Sequence, residues 1–295
     1  MLFRSARLAL SDEDRAGRDL VVRWMRALGL EIRVDSIGNV FGFTEGSDIG
    51  EKGEKEGEFG IFGRLGKQGG RYFGLTQSNE LKLNLTGDFR IAPGVFFSHY
   101  NIRNVPGLPN YNGGGFDGVS FEMKYRVLER EKSPFGLTLA MASAWSRIDS
   151  QGSGTQTNLG TNFFVSLDKE LIHGKLFGAL NLGWAPSVTQ APGASGWERA
   201  SELSLSGALS YRMAEKFFLG GEVRYARSFD GLTFNHSAGH ALFAGPNFYL
   251  RLTDKAWIAG SWNFQVAGKT FTVPGSLDLV NFERHQARLR LGIAF

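Results

Sequence analysis

The side chains with chemistry to offer stand at every second position of long polar–apolar alternations. The basic ones are Lys82, Arg90, Lys124, Arg126, Arg224, Arg251, Arg284, Arg288 and Arg290; the acidic ones are Glu122, Glu202 and Glu222. Spread over many segments, they have none of the spacing of a catalytic constellation. They read as the lining of a polar interior, filled by compensating ion pairs and water or left open as a narrow, basic-leaning passage. Arg284, Arg288 and Arg290 fall on one segment, and a ladder of arginines favours small anionic solutes.

Other chemistries find little support. With no cysteine in 295 residues, thiolate metal sites, disulfides and cysteine nucleophiles are excluded. The five histidines, His99, His173, His236, His240 and His285, have no serine and acidic partner that the sequence identifies. His236 and His240 are four apart, but in a glycine-rich stretch, so the spacing is a weak metal signal. Asn112-Gly113-Gly114-Gly115 has no helix after it to cradle a phosphate. No catalytic residue, metal ligand or cofactor is therefore assigned. The net charge of +4 is too diffuse for a nucleic-acid partner.

The elements that must position these charges are strands. In 119–127, Val119, Phe121, Met123, Tyr125 and Val127 alternate with Ser120, Glu122, Lys124 and Arg126. In 286–295, Ala287, Leu289, Leu291, Ile293 and Phe295 alternate with Gln286, Arg288, Arg290, Gly292 and Ala294. Period two places each set on its own face. Twelve such segments are expected, at 58–67, 73–86, 88–100, 118–129, 135–148, 156–168, 176–186, 197–212, 217–229, 240–253, 256–268 and 281–295. Many exceed the usual five or six residues of soluble strands and suit a bilayer, which takes about 9–11 tilted residues. Links at 87, 130–134, 169–175, 213–216 and 254–255 are short. Those at 101–117, 149–155, 187–196, 230–239 and 269–280 are mostly longer, as on the two rims of an outer-membrane barrel. Glycine at 40 of 295 residues and aromatics at 13% fit many turns and two interfacial girdles. Trp145, Trp184 and Trp197 are expected near the long-loop rim, and Tyr211 and Phe217 near the short-turn rim. The fold class is thus all-β: an antiparallel transmembrane barrel of twelve strands over 58–295, with a short N-terminal helix–strand extension.

The extension covers 1–42. Ser11 precedes Asp12, Glu13 and Asp14, and Leu20, Val21, Trp24, Met25 and Leu28 form one apolar stripe, so a helix is expected over 11–29 and a strand after it. Residues 7–42, RLALSDEDRAGRDLVVRWMRALGLEIRVDSIGNVFG, resemble the N-terminal region of N-carbamoyl-L-amino-acid hydrolases and allantoate amidohydrolases. In those enzymes a G-S-H-x-D metal-binding stretch soon follows. Here Phe43, Thr44, Glu45 and Gly46 follow, so the activity is not carried over. Met1-Leu2-Phe3-Arg4-Ser5 matches what the end of a common sequencing adapter encodes. Residues 1–42 are therefore read as a chimeric fragment joined near Val40-Phe41-Gly42, the alternative being a genuine fusion. Residues 43–57, charged and glycine-rich, read as a solvated linker. No secretory signal peptide is visible.

The last residues, RLRLGIAF, resemble the C-terminal signal of bacterial outer-membrane proteins, with Leu289, Leu291, Ile293 and Phe295 as the signal positions. FGFTEGSDIGEKGEKEGE and HYNIRNVPGLPNYNGGGFDGVSFEMKYR are similar to a family of uncharacterised alphaproteobacterial barrel proteins, from Phe41 onward. The resemblance implies Gram-negative outer-membrane localisation, with outer-membrane lipid and the barrel-assembly machinery as partners. The expected function is a structural barrel or passive channel for small anionic or polar solutes. The rivals are a lipid-acting outer-membrane hydrolase and a soluble ligand-binding barrel, the latter with its apolar residues inside.

Overall fold

Alternation becomes pairing along nearly the whole of the computed structural model, which describes residues 44–152 and 154–295. The expected helix over 11–29, the strand after it and the junction near Val40 lie outside the described residues. The strands are β1 (Lys55–Leu65), β2 (Arg71–Asn84), β3 (Phe89–Arg103), β4 (Tyr111–Leu128), β5 (Gly136–Ile148), β6 (Thr155–Ile172), β7 (Leu176–Gln190), β8 (Glu198–Ala214), β9 (Phe217–Asp230), β10 (Ser237–Arg251), β11 (Ala256–Thr270) and β12 (His285–Ala294). Each is antiparallel to its sequence neighbours, and β12 returns to β1, closing a twelve-stranded barrel. The seam is a full ladder from Glu56↔Ala294 to Leu65↔His285, with Phe59 opposite Leu291. Closure leaves no unpaired edge, the condition a β-structure must meet inside lipid.

The two sides of the wall differ in chemistry. On β4, Val119, Phe121, Tyr125 and Val127 are exposed on the outside, while Lys124 is buried inside. On β5, Thr138 and Ala140 are buried and Leu139 is exposed. Leu180, Leu182, Leu205, Leu209, Leu219 and Val223 continue the exposed apolar surface over β7, β8 and β9. A soluble ligand-binding barrel has the reverse arrangement; in water this belt would be a large contiguous apolar patch.

Several boundaries move. The link expected at 101–117 shrinks to 104–110, because the glycine run that reads as a loop is strand: Gly113, Gly114 and Gly115 pair with Tyr100, His99 and Ser98. Glycine is needed there, since a Cβ on Gly114 would stand 2.3 Å from the Ser98 carbonyl oxygen. The final link lengthens to 271–284, so β12 starts at His285 rather than at 281. One rim now carries the links 85–88, 129–135, 173–175, 215–216 and 252–255. The other carries 66–70, 104–110, 149–154, 191–197, 231–236 and 271–284. The contrast in length survives, though softened by strands that run further than expected.

Of the described part of the expected linker, 44–50 and 55–57 are not a solvated chain; only 51–53 form an exposed stretch between them. Lys55–Gly57 belong to β1, and Thr44, Ser47 and Ile49 are buried. The charges that look suited to water find an equally polar setting inside the barrel.

Candidate functional site

The lumen near the short-turn rim gathers a network of ion pairs, and the segment 44–50 crosses it. Its contacts reach five strands. The Thr44 N–H donates to Glu222 on β9 (3.4 Å). The Glu45 carboxylate accepts from Lys124 on β4 (2.8 Å) and faces Arg290 on β12 (3.6 Å). The Glu45 N–H donates to the Asn181 Oδ1 on β7, whose Nδ2 donates back to the Glu45 carbonyl (2.8 Å). The Ser47 hydroxyl donates to Asp168 on β6, and Arg126 on β4 lies 3.9 Å from Asp48. Since β12 and β6 stand on opposite sides of a twelve-stranded ring, a segment bound to both spans the interior.

The partners share one depth. Lys124 lies four residues before the end of β4, Arg290 four before the end of β12, Asp168 four before the end of β6, Asn181 and Glu222 five after the starts of β7 and β9. All of these strand ends lie on the short-turn rim. Gly50 and Gly53, both at φ +84°, turn the segment back into β1; this left-handed conformation is one that glycine adopts without cost.

Around this strap the wall charges are paired. Lys82 bridges Glu56 (2.9 Å) and Glu58 (2.5 Å), and Glu58 also faces Arg290 (3.9 Å). Arg90 binds Glu122 at 2.9 Å, and Arg130 binds Asp168. The Trp257 indole N–H donates to Glu56, while Lys82 and Arg290 each lie 5.7 Å from its ring. Lys124 has no exposed surface, and Arg290 retains 3%. Burial alone would raise the Glu45 carboxyl. The surrounding Lys124, Arg290 and Arg288 outweigh it and hold the group well below its ordinary 4.5. Glu45 is therefore a carboxylate across the working pH range.

The sequence-derived positions divide into groups. Lys82, Arg90, Glu122, Lys124 and Arg290 meet in this network. Glu222 joins it from below the strap, accepting from Asn263 Nδ2 at 2.5 Å. Arg224 lies deeper, donating to Gln286 and covering the Phe243 ring at 5.0 Å, with Glu202 nearby on β8. Arg288 is half-buried beside Arg290. Arg126 and Arg251 sit at the short-turn rim, Arg126 on the exposed Asp88 (3.1 Å) and Arg251 as the last residue of β10. Arg284 is a correction. It is exposed in the 271–284 link, so the expected three-arginine ladder holds only two wall positions. Interior charge is also more nearly compensated than a basic-leaning lumen implies, because 44–50 brings in Glu45 and Asp48.

Outside, Trp145 lies near the long-loop end of β5, Trp184 in the same half of β7, and Trp197 just before β8. Tyr211 lies near the short-turn end of β8, and Phe217 opens β9 at that rim. Leu289, Ile293 and Phe295 are exposed on the outer face, Phe295 at 67%, and Leu291 is half-buried. His285 packs against Trp262 and Phe264, His240 against Tyr225, and His173 lies 3.3 Å from Glu170. Among the described residues no three His, Asp or Glu side chains are grouped to hold a metal.

The strap itself is what sequence reasoning missed. A signal for it exists. Beyond residue 57 the chain holds 24 basic against 18 acidic residues, while 44–57 contributes Glu45, Asp48, Glu51, Glu54 and Glu56 against Lys52 and Lys55. Buried cations on the wall needed carboxylates from elsewhere.

The chain belongs to a family of unknown function, DUF6662, whose model matches residues 35–295. No curated protein sequence matches it. Solved structures of similar fold include the beta domain of the Bordetella autotransporter BrkA, at 12% identity and a TM-score of 0.51, covering 83% of this chain and 100% of that one. The NanC porin follows at 11% identity and 0.47 (80% and 98%), as does the translocator domain of the autotransporter NalP from Neisseria meningitidis at 12% and 0.46 (97% and 98%). At such identities the likeness concerns the fold alone.

Proposed function

We propose that this member of the family is an outer-membrane barrel serving as a structural element and narrow passage for small polar or anionic solutes. The observation that carries the reading is the sorting of the wall: apolar side chains outside and paired charges inside, on a barrel closed from β1 to β12. The outward aromatics at both rims support contact with outer-membrane lipid. The exposed Leu289, Ile293 and Phe295 at the C-terminal end support handling by a barrel-assembly machinery. The family match begins at residue 35, inside the stretch that resembles amidohydrolases.

The test is reconstitution of the full chain into vesicles containing brominated lipid. Outward tryptophans such as Trp145, Trp184 and Trp262 should be quenched, whereas a barrel that stays in water should show no quenching. Uptake of small solutes, read by vesicle swelling, then distinguishes a passage from a purely structural barrel.

A further inference from the structure

We propose that the lumen contains a built carboxylate-binding site whose resident ligand is the chain's own Glu45, and that a small carboxylate solute takes this place when 44–50 withdraw. The inference rests on the reading of the barrel as a membrane passage.

The wall supplies the site, and the strap only fills it. Lys124 and Arg290 come from β4 and β12 and converge on the two oxygens of one carboxylate, at 2.8 and 3.6 Å. Lys124 is fully buried beneath it. Such a pair of fixed cations is costly to bury without an anion between them. Glu58 lies 3.9 Å from Arg290 while binding Lys82 at 2.5 Å, and Glu122 is held by Arg90, so the carboxylate that joins Lys124 to Arg290 is that of Glu45. The third wall, β7, adds a reader of a different kind. Asn181 accepts from the N–H of Glu45 and donates to its carbonyl, so it recognises the donor of the amide before the glutamyl carbon and the acceptor of the amide after it. The ligand class follows: a small carboxylate, held better when an amide flanks it at the spacing found in a glutamyl residue.

The strap is built to be exchangeable. The barrel closes through β1 from Lys55 onward, without help from 44–50. Gly50 and Gly53 lie between the bound part and β1. Withdrawal therefore breaks lumenal contacts and no ladder bond. Because the partners of Thr44, Glu45 and Ser47 all lie four or five residues from the short-turn rim, the same event clears the passage and exposes its anion site. Carboxylate recognition and opening are thus one step, with an incoming anion competing against Glu45.

The experiment records currents from the full chain in planar bilayers, with membrane insertion checked separately by tryptophan quenching. Failure to insert would defeat the membrane reading; every later outcome bears on the site. Wild type should pass little current. Glu45→Lys repels Lys124 and Arg290, and should raise the current several-fold with chloride preferred over potassium. The probe N-acetyl-L-glutamate α-amide, which reproduces Glu45 in isolation, should block that current. Glu45→Lys combined with Asn181→Leu should need about tenfold more probe, while a simple carboxylate such as acetate blocks both equally. Glu45→Gln should give the same pattern more weakly. An inserted Glu45→Lys barrel as closed as wild type would overturn the proposal. So would an open one without anion preference, or a block indifferent to Asn181.

Discussion

The two ends of the lumen are narrowed by opposite means. At the short-turn end the strap is held by ion pairs and hydrogen bonds to polar wall residues. At the long-loop end two apolar clusters do most of the filling, beside a single Lys67–Glu283 pair at 3.6 Å: Tyr72, Tyr100, Ile102, Val105 and Ile148 form one, and Ala226, Ala241, Phe243 and Phe282 the other. Phe282 comes from the 271–284 link and meets Phe243 edge-on, with centroids 6.2 Å apart. Packing of this kind is indifferent to charge and salt and has no ligand to exchange for. Paired charges can be satisfied equally by an outside ion. The contrast assigns permanence to one end and exchange to the other.

The largest effect should come from the charged end. Lys124→Met leaves the half-buried Glu45 without its closest cation, and since removing one member of a fully buried pair costs about 3–5 kcal/mol, the loss should fall near the lower figure. Urea unfolding in vesicles should show that loss, and Glu45→Gln in the same background should recover part of it. At the apolar end Phe282→Ala should cost about 3 kcal/mol, at the low end for a large core side chain because it is anchored by a loop. Its cost should be the same at low and high salt, and any added current should lack ion preference. Equal salt dependence at the two ends would break the comparison.

A smaller effect concerns pH. Glu45 faces Lys124, Arg290, Arg288 and Arg90, with Glu58, Glu80 and Glu122 around the same cations and Asp168 paired to Arg130 beside Ser47. Its carboxyl is depressed in the folded state, so its contribution is complete above the ordinary value of 4.5 and is lost only as pH falls through the depressed one. The Glu45 N–H, bound to Asn181, should therefore keep its hydrogen-exchange protection factor as pH drops past 4.5 and lose it only in stronger acid. The smallest effect is at Arg284. Exposed in its loop, Arg284→Leu should change stability by less than about 0.5 kcal/mol and leave ion preference alone.

The barrel was legible because period two is a strong constraint wherever one face meets an apolar medium. Val119–Val127 and Ala287–Phe295 each commit every second residue, and the observed strands keep those faces. The site was only half legible. Lys124 and Arg290 could be placed inward by parity, but their partner Glu45 lies in a segment with no period. A polar lumen also selects the same residue types as solvent, so TEGSDIG reads as a linker in either setting. Glycines misled at 113–115 for a related reason: they signal turns by conformational freedom, whereas here they permit close strand approach. Arg284 was misplaced because the alternation of β12 was extended past a link whose length no local signal fixes.

The presence of the strap inside the barrel can be tested by one cross-link in this cysteine-free chain. A Cβ at Gly136 stands 2.8 Å from the Ser47 Cβ, so a small retreat of the strap reaches the roughly 3.8 Å that a disulfide prefers. Ser47→Cys with Gly136→Cys should oxidise readily in the folded, membrane-inserted protein and give a faster-migrating species without reductant. Ser47→Cys with Gly207→Cys, whose second site is on the outer wall, should not. Absence of the first cross-link in a barrel shown to be inserted, or equal yield from both pairs, would contradict a strap lying across the lumen.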